Sequence, residues 1–432
     1  MRTITVSGPL HPGESLHVSV RDRLIPLRRM LVALATGIAL LVPGSYALAA
    51  PTDRLAGILL ADDPALAAAA PETVAPAGIL RTADGRTLWE READDRRAMA
   101  STTKIMTALV VLDRADFGDV ITVSAAAEAV GDAEIDLRAG QRVSVDTLFR
   151  AMLVPSANDA AYALAEYVAG TIPAFAQLMN EKARALGLQH SAFTNPTGLD
   201  ADGHYTSASD LATLAAVAMG NERFAQAVGL SEITVEHASG ERRVHESTNE
   251  LLDVYDGIVG VKTGHTRAAG WCFVGAAERD GVGLTAVVLG TGSNEARFAE
   301  AQALLDWGFE HYALTQVSSA ESTAALVPVS DFLDVTVAAV VSDSVSVPVF
   351  DLDGEVTARA DVLSSAEAPI AAGQRLGTLT VSQGDRLLAQ VPLVAAADVP
   401  RPDAFEAVGI WLTRLWRAAF GGAVAAEPVL MM

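Results

Sequence analysis

Cysteine is almost missing from this 432-residue chain, which has only Cys272. One thiol excludes an internal disulfide and a cysteine-based metal site. Its setting, Trp271-Cys272-Phe273-Val274, reads as a small buried hydrophobe. Positive charge is in deficit, with a formal net charge of −22. That excludes nucleic acid as a partner, because phosphate recognition needs clustered Lys and Arg; the acidic balance reads as solubility in a salty medium. The apolar run Met30 to Val42 is too short to span a bilayer comfortably. Lysine is scarcest in proportion: of 31 Lys and Arg residues, only Lys104, Lys182 and Lys262 are lysines. Two of these sit in Ser101-Thr102-Thr103-Lys104 and Lys262-Thr263-Gly264. A guanidinium cannot be deprotonated in a protein, whereas a desolvated amine can act as a base. Lysine has been kept where a proton must move.

With 50% hydrophobic and 19% charged residues, the chain is globular, and its length predicts two domains plus appendages. Arg21, Arg23, Arg28 and Arg29 precede the Met30–Val42 run, which ends near Ala47-Leu48-Ala49. That order of charge, apolar core and small residues is a secretory signal. Residues 1–49 are therefore expected to be removed, leaving the protein exported, on the outer, periplasmic side of the cytoplasmic membrane. Residues 50–76 are rich in Ala and Pro and read as a linker.

Residues 77–315 form the expected first domain. Asp84-Gly85 signals a hairpin, helical spacing runs from Ser101 to about Val228, and strands return at Gly257–Val261, Trp271–Ala277 and Gly283–Gly290. A helix from Glu295 to His311 closes the unit. The expected class is α+β: an antiparallel sheet covered by helices with a helical insert. Residues 316–400 carry short alternating runs such as Val335–Val341, broken by Asp353-Gly354 and Gly384-Asp385, and predict a small all-β domain. In the tail, residues 401–432, Phe405, Val408, Trp411, Leu412, Leu415, Trp416 and Ala419 gather on one side of a helical wheel, and Asp403, Glu406, Arg414 and Arg417 on the other. Such a helix is expected to lie in a membrane surface, favouring anionic lipid weakly through Arg414 and Arg417. Ile410 falls on the wrong face for this reading.

The chemistry concentrates in three short motifs. A serine hydroxyl is a weak nucleophile that needs a base in reach, and residues three apart on a helix share a face, so Ser101 and Lys104 pair. A helix start at Ser101 also aims backbone N–H groups at developing negative charge. Ser156-Ala157-Asn158, after Pro155, offers a relay hydroxyl and an amide for a substrate carbonyl; a helix N-cap is its ordinary alternative. Lys262-Thr263-Gly264 offers a cation and a hydroxyl to a carboxylate, with Gly264 letting a substrate backbone approach the strand edge.

SxxK, Ser-x-Asn and KTG together form the signature of penicillin-binding proteins and class A β-lactamases. Ala100–Thr107, Ser156–Ala160, Gly198–Tyr205 and Asp256–Thr266 strongly resemble D-alanyl-D-alanine carboxypeptidases, the low-molecular-mass penicillin-binding proteins. The resemblance implies a penicillin-binding/β-lactamase-like catalytic fold with the extra β-domain, and an acyl-enzyme mechanism on peptidoglycan stem peptides, inhibited by β-lactams, without cofactor or metal. By position it makes Ser101 the nucleophile, Lys104 its base, and Ser156 and Asn158 the proton relay and substrate grip. Lys262 tunes the relay and with Thr263 binds the terminal D-Ala carboxylate, while the N–H groups of Ser101 and His265 form the oxyanion hole. Arg297 resembles a family arginine that helps hold that carboxylate; an exposed ion pair on a helix is its alternative.

Two stretches depart from the family pattern. Gly131-Asp132-Ala133-Glu134-Ile135-Asp136 replaces a Gly- and Ser-rich loop beside the site, and Ser247-Thr248-Asn249 replaces an Asn-rich stretch. A class A β-lactamase needs a deacylating glutamate, and the matching segment Phe193–Asp210 has none. A DD-endopeptidase that cuts cross-links, or a non-catalytic penicillin-binding protein, stays open as an alternative.

Overall fold

The computed structural model describes residues 70–420 and 427–431. The expected signal segment and most of the expected linker lie outside the described residues. The chain divides into two compact units. The first runs to Leu314 and includes Pro348–Leu352; the second holds Thr315–Val347 and the chain from Asp353 onward.

In the first unit β1 (Ala77–Thr82) folds back on β2 (Thr87–Arg91) across the expected turn. Then come α1 (Lys104–Arg114), α2 (Ala125–Glu128), α3 (Val145–Leu153), α4 (Asn158–Ala169), α5 (Ile172–Ala185), α6 (Ala208–Met219) and α7 (Glu222–Val228). Several starts are written in the sequence: Ser144, Thr171, Ser207 and Asn221 each accept a bond from an N–H of the first turn. Two hairpins interrupt the helices, β3 (Val120–Thr122) with β4 (Arg142–Ser144) and β5 (Glu232–Glu236) with β6 (Arg242–Glu246). The sequence does not announce them. β6 reads Arg-Arg-Val-His-Glu and is mostly exposed, so it lacks the apolar alternation that marks a strand.

The chain returns to the sheet as β7 (Ile258–Thr266), β8 (Gly270–Arg279) and β9 (Val282–Thr291), followed by α8 (Asn294–His311). Sheet order is β2-β1-β9-β8-β7, antiparallel throughout, so the strand carrying Lys262 is an edge. Both faces are covered, and the alternation along each strand sorts the core in two. Val287 and Leu289 of β9 point to the helical insert with Ile105, Phe149 and Phe175. Ala286 and Val288 point to α8 with Phe298, Leu305 and Trp307. Cys272 lies in the first of these cores with no exposure, and burial pushes its thiol up to about 11.

In the second unit β11 (Thr323–Pro328), β12 (Thr336–Val341), β14 (Val356–Val362), β15 (Arg375–Gln383), β16 (Arg386–Ala395) and the short β17 (Val429–Leu430) form one sheet in the order β14-β15-β16-β12-β11-β17. β10 (Tyr312–Ser318) and β13 (Val345–Phe350), each divided between the two units, make a separate ladder. The tail forms α9 (Ala404–Phe420). Its large apolar side chains are outward, with Phe405 91% and Trp416 63% exposed. The arginines are placed differently from expectation. Arg414 donates to the carbonyls of Ser330 and Phe332, and Arg417 pairs with Asp334 at 3.0 Å. Half-buried Ile410, Thr413, Arg414 and Arg417 follow helical spacing on one face, so Ile410 sits on the side that meets the β-sheet unit. Among the described residues no helix is long and apolar enough to cross a membrane.

Candidate active site

Ala100–Thr103 forms a single 3-10 turn that runs into α1, placing Ser101 half-buried just ahead of Lys104. The Lys104 side chain is fully buried. Its Nζ stands 2.9 Å from Ser101 Oγ, 2.7 Å from Asn158 Oδ1 and 2.8 Å from the Thr197 carbonyl oxygen. Burial, and next the charge of Lys262, hold this amine well below the ordinary lysine range, against a raising pull from Asp159. A buried amine kept from charging is what a general base for serine requires.

Asn158 opens α4 and reaches both ways, since its Nδ2 donates to the Gly131 carbonyl at 3.0 Å. Asp159 beside it accepts from the backbone N–H groups of Leu137 at 3.0 Å and Ile135 at 3.1 Å. The loop from Gly131 to Leu137 is thereby fixed against the site, as its place in the sequence suggested. Ser156 has a left-handed backbone, φ +66°. Its buried hydroxyl has no hydrogen-bond partner among the described residues. Such a group is costly unless something else satisfies it, water or a bound ligand included.

From the sheet edge, Lys262 brings a second buried amine. It donates to the Thr263 carbonyl at 3.1 Å, and burial, with Arg297 adding to it, lowers it to about 7. Thr263 Oγ1 shares a 2.6 Å bond with Thr248 Oγ1, which gives the unusual Ser247-Thr248-Asn249 stretch a structural task. Gly264 is tightly packed here: a Cβ would stand 3.0 Å from the Ser101 nitrogen, so that peptide would have to give way. His265 is exposed and stacks on Trp271 with centroids 3.9 Å apart. Arg297 is not an exposed ion pair on a helix. It is 4% exposed, donates to the Gly264 carbonyl at 3.2 Å, and burial lowers it to about 10.

The structure thus gathers Ser101, Lys104 and Asn158 in direct contact and places Lys262, Thr263 and Gly264 beside them. It also reveals parts that the motifs did not assign. Thr197 gives Lys104 a second acceptor beside Asn158. Gly198 (φ +91°) lies so close to the nucleophile that a Cβ would be 1.9 Å from the Ala100 carbonyl oxygen. No local signal in the sequence marks this contact, because Gly198 and Ala100 are far apart in the chain.

The profile of the D-alanyl-D-alanine carboxypeptidase family matches residues 65–293, and that of the penicillin-binding protein 5 C-terminal domain matches residues 312–401. The chain is 31% identical to D-alanyl-D-alanine carboxypeptidase DacF of Bacillus subtilis over 73% of its own length and 83% of the relative's. To DacC of Escherichia coli it is 31% identical, over 82% and 91% of the two chains. Among solved structures, DacD of Francisella tularensis superposes with a TM-score of 0.58 at 29% identity, covering 77% of this chain and 95% of that one. The Streptomyces K15 DD-transpeptidase superposes with a TM-score of 0.54 at 33% identity over 56% of this chain and 99% of that one. The fold and the Ser101–Lys104 pair define a penicillin-binding serine peptidase. More closely, the chain belongs to the D-alanyl-D-alanine carboxypeptidase family.

Proposed function

We propose that this protein removes the terminal D-Ala from peptidoglycan stem pentapeptides through an acyl-enzyme on Ser101. The observation that carries this reading is the 2.9 Å approach of the buried, charge-averse Lys104 amine to Ser101 Oγ. Ser101 Oγ attacks the carbonyl of the penultimate D-Ala while Lys104 takes the hydroxyl proton. The tetrahedral oxyanion rests on the N–H groups of Ser101 and His265. Ser156, its hydroxyl otherwise unpartnered, relays the proton held by Lys104 to the departing D-Ala amine, which leaves Lys104 a free base again. Water then attacks the ester with Lys104 again as base, returning the serine. Asn158 grips the substrate amide. Lys262 and Thr263 take the terminal carboxylate, with the charge of Arg297 behind Gly264. A β-lactam acylates Ser101 by the same attack, but its ring-opened amine stays tethered and does not leave.

The protein acts outside the cytoplasm, peripheral to the outer face of the membrane. The charge, apolar run and small residues of 1–49 and the outward apolar face of α9 support that address. Measuring D-alanine release from a pentapeptide and from a cross-linked dimer in parallel tests the activity. Release from the pentapeptide, lost in Ser101→Ala together with labelling by fluorescent penicillin, is the expected result. Cleavage of the dimer alone, or labelling that survives Ser101→Ala, overturns it.

A further inference from the structure

His204 is 7% exposed. Its ring is tied at both nitrogens. The backbone N–H of Thr194 donates to Nδ1 at 3.0 Å, so Nδ1 carries no proton and Nε2 must carry one. Nε2 stands 2.8 Å from Thr103 Oγ1. The Thr103 hydroxyl therefore accepts from His204 and spends its own proton on the Ala100 carbonyl, also 2.8 Å away. Every donor and acceptor in this chain has one consistent direction.

The end of the chain is what matters. The Ala100 carbonyl and the Ser101 N–H belong to one peptide unit, which is planar with C=O and N–H opposed. Fixing the carbonyl oxygen fixes the line along which the Ser101 N–H points. Ala100 needs such a hold, because it is a buried non-glycine residue at φ +49°, a strained conformation that persists only where surroundings over-determine it. Linked hydrogen bonds also polarise one another, so a donor on the carbonyl strengthens the N–H on the far side. Burial lowers the imidazole to about 4, against a weaker pull from Asp200, which keeps the ring neutral and the chain's direction constant.

We propose that His204 is a positioning residue that, through Thr103, aims the Ser101 N–H at the oxyanion of the tetrahedral intermediate. This rests on the reading of Ser101 as the acylated serine and of its N–H as an oxyanion donor. The test is the saturation kinetics of acylation by fluorescent penicillin, alongside thermal midpoints, for the full mature chain. Thr103→Val and His204→Leu should each lower the saturating acylation rate roughly 10- to 100-fold, below the loss for outright removal of an oxyanion donor, with the reversible penicillin affinity unchanged. The double variant should be no slower than the slower single one, because both act through one chain. His204→Gln, whose amide N–H can stand where Nε2–H does, should recover most of the rate, and so should Thr103→Ser, which keeps the comparison open if His204→Leu does not fold. Unchanged acylation in Thr103→Val, additive losses, or equal losses in His204→Gln and His204→Leu would overturn the proposal. A wild type that is acylated at Ser101 yet releases no D-alanine would count against the carboxypeptidase reading and leave this test intact.

Discussion

Gly198 and Ala100 meet where no side chain fits: a Cβ on Gly198 would stand 1.9 Å from the Ala100 carbonyl oxygen and 2.9 Å from the Ser101 nitrogen. Both obstructing atoms are backbone. Gly198 also has φ +91°, where alanine costs more than about 1 kcal/mol before any collision is counted. Gly198→Ala is therefore expected to displace the nucleophile's peptide and slow acylation by roughly 100-fold, the usual effect of misplacement on the ångström scale. Labelling by fluorescent penicillin at the wild-type rate would show that the contact is not needed.

Lys104 is enclosed by three oxygens and kept from charging by burial and by Lys262. Lys104→Arg places a permanently charged group there, with no lone pair for the serine proton. Acylation should fall by roughly 10² to 10⁴, the range for a lost general base. Near-normal acylation of this variant would put the base elsewhere.

The charge of Lys262 disfavours the ammonium form of Lys104. Removing it in Lys262→Gln should let the Lys104 pKa rise, so less of the amine is free base at a given acidic pH. The acid limb of the acylation profile should then move to higher pH. The comparison belongs below about pH 7, where wild-type Lys262 still carries its proton. A limb that stays put, or moves to lower pH, contradicts the coupling.

Arg414 and Arg417 are occupied by Ser330, Phe332 and Asp334, so the proposed membrane binding by α9 would have to come from its apolar face. Phe405, Trp411, Trp416 and their neighbours are the groups to be buried. Mature protein should cosediment with zwitterionic and anionic liposomes alike, and protein truncated after Pro402 should stay in the supernatant. Equal behaviour of the two proteins would remove the anchor. A strong demand for anionic lipid would mean that the arginines leave their partners.

The motifs around Ser101, Asn158 and Lys262 were legible because each depends on neighbours a few residues away, and a helix turn or a strand edge turns that spacing into geometry. The turns, the capped helices and the alternating β9 were readable for the same reason. Arg297 was half-read: its helix was plain, but whether it faced water or the Gly264 carbonyl depended on which side of α8 met the sheet. In the tail the helical wheel separated the faces as found, with Ile410, Arg414 and Arg417 opposite the apolar stripe, but it could not say that this face meets protein.

By itself the sequence determined the residue types that the chemistry needs and the local frames that hold them: a serine three before a lysine, a serine two before an asparagine, and a lysine on a strand. Only the tertiary structure decided that these frames converge, that Lys104 is dry enough to be a base, and that Gly198, Thr103 and His204 surround the Ala100–Ser101 peptide. Desolvation and close packing are sums over atoms brought in from remote parts of the chain, and no local spacing encodes them.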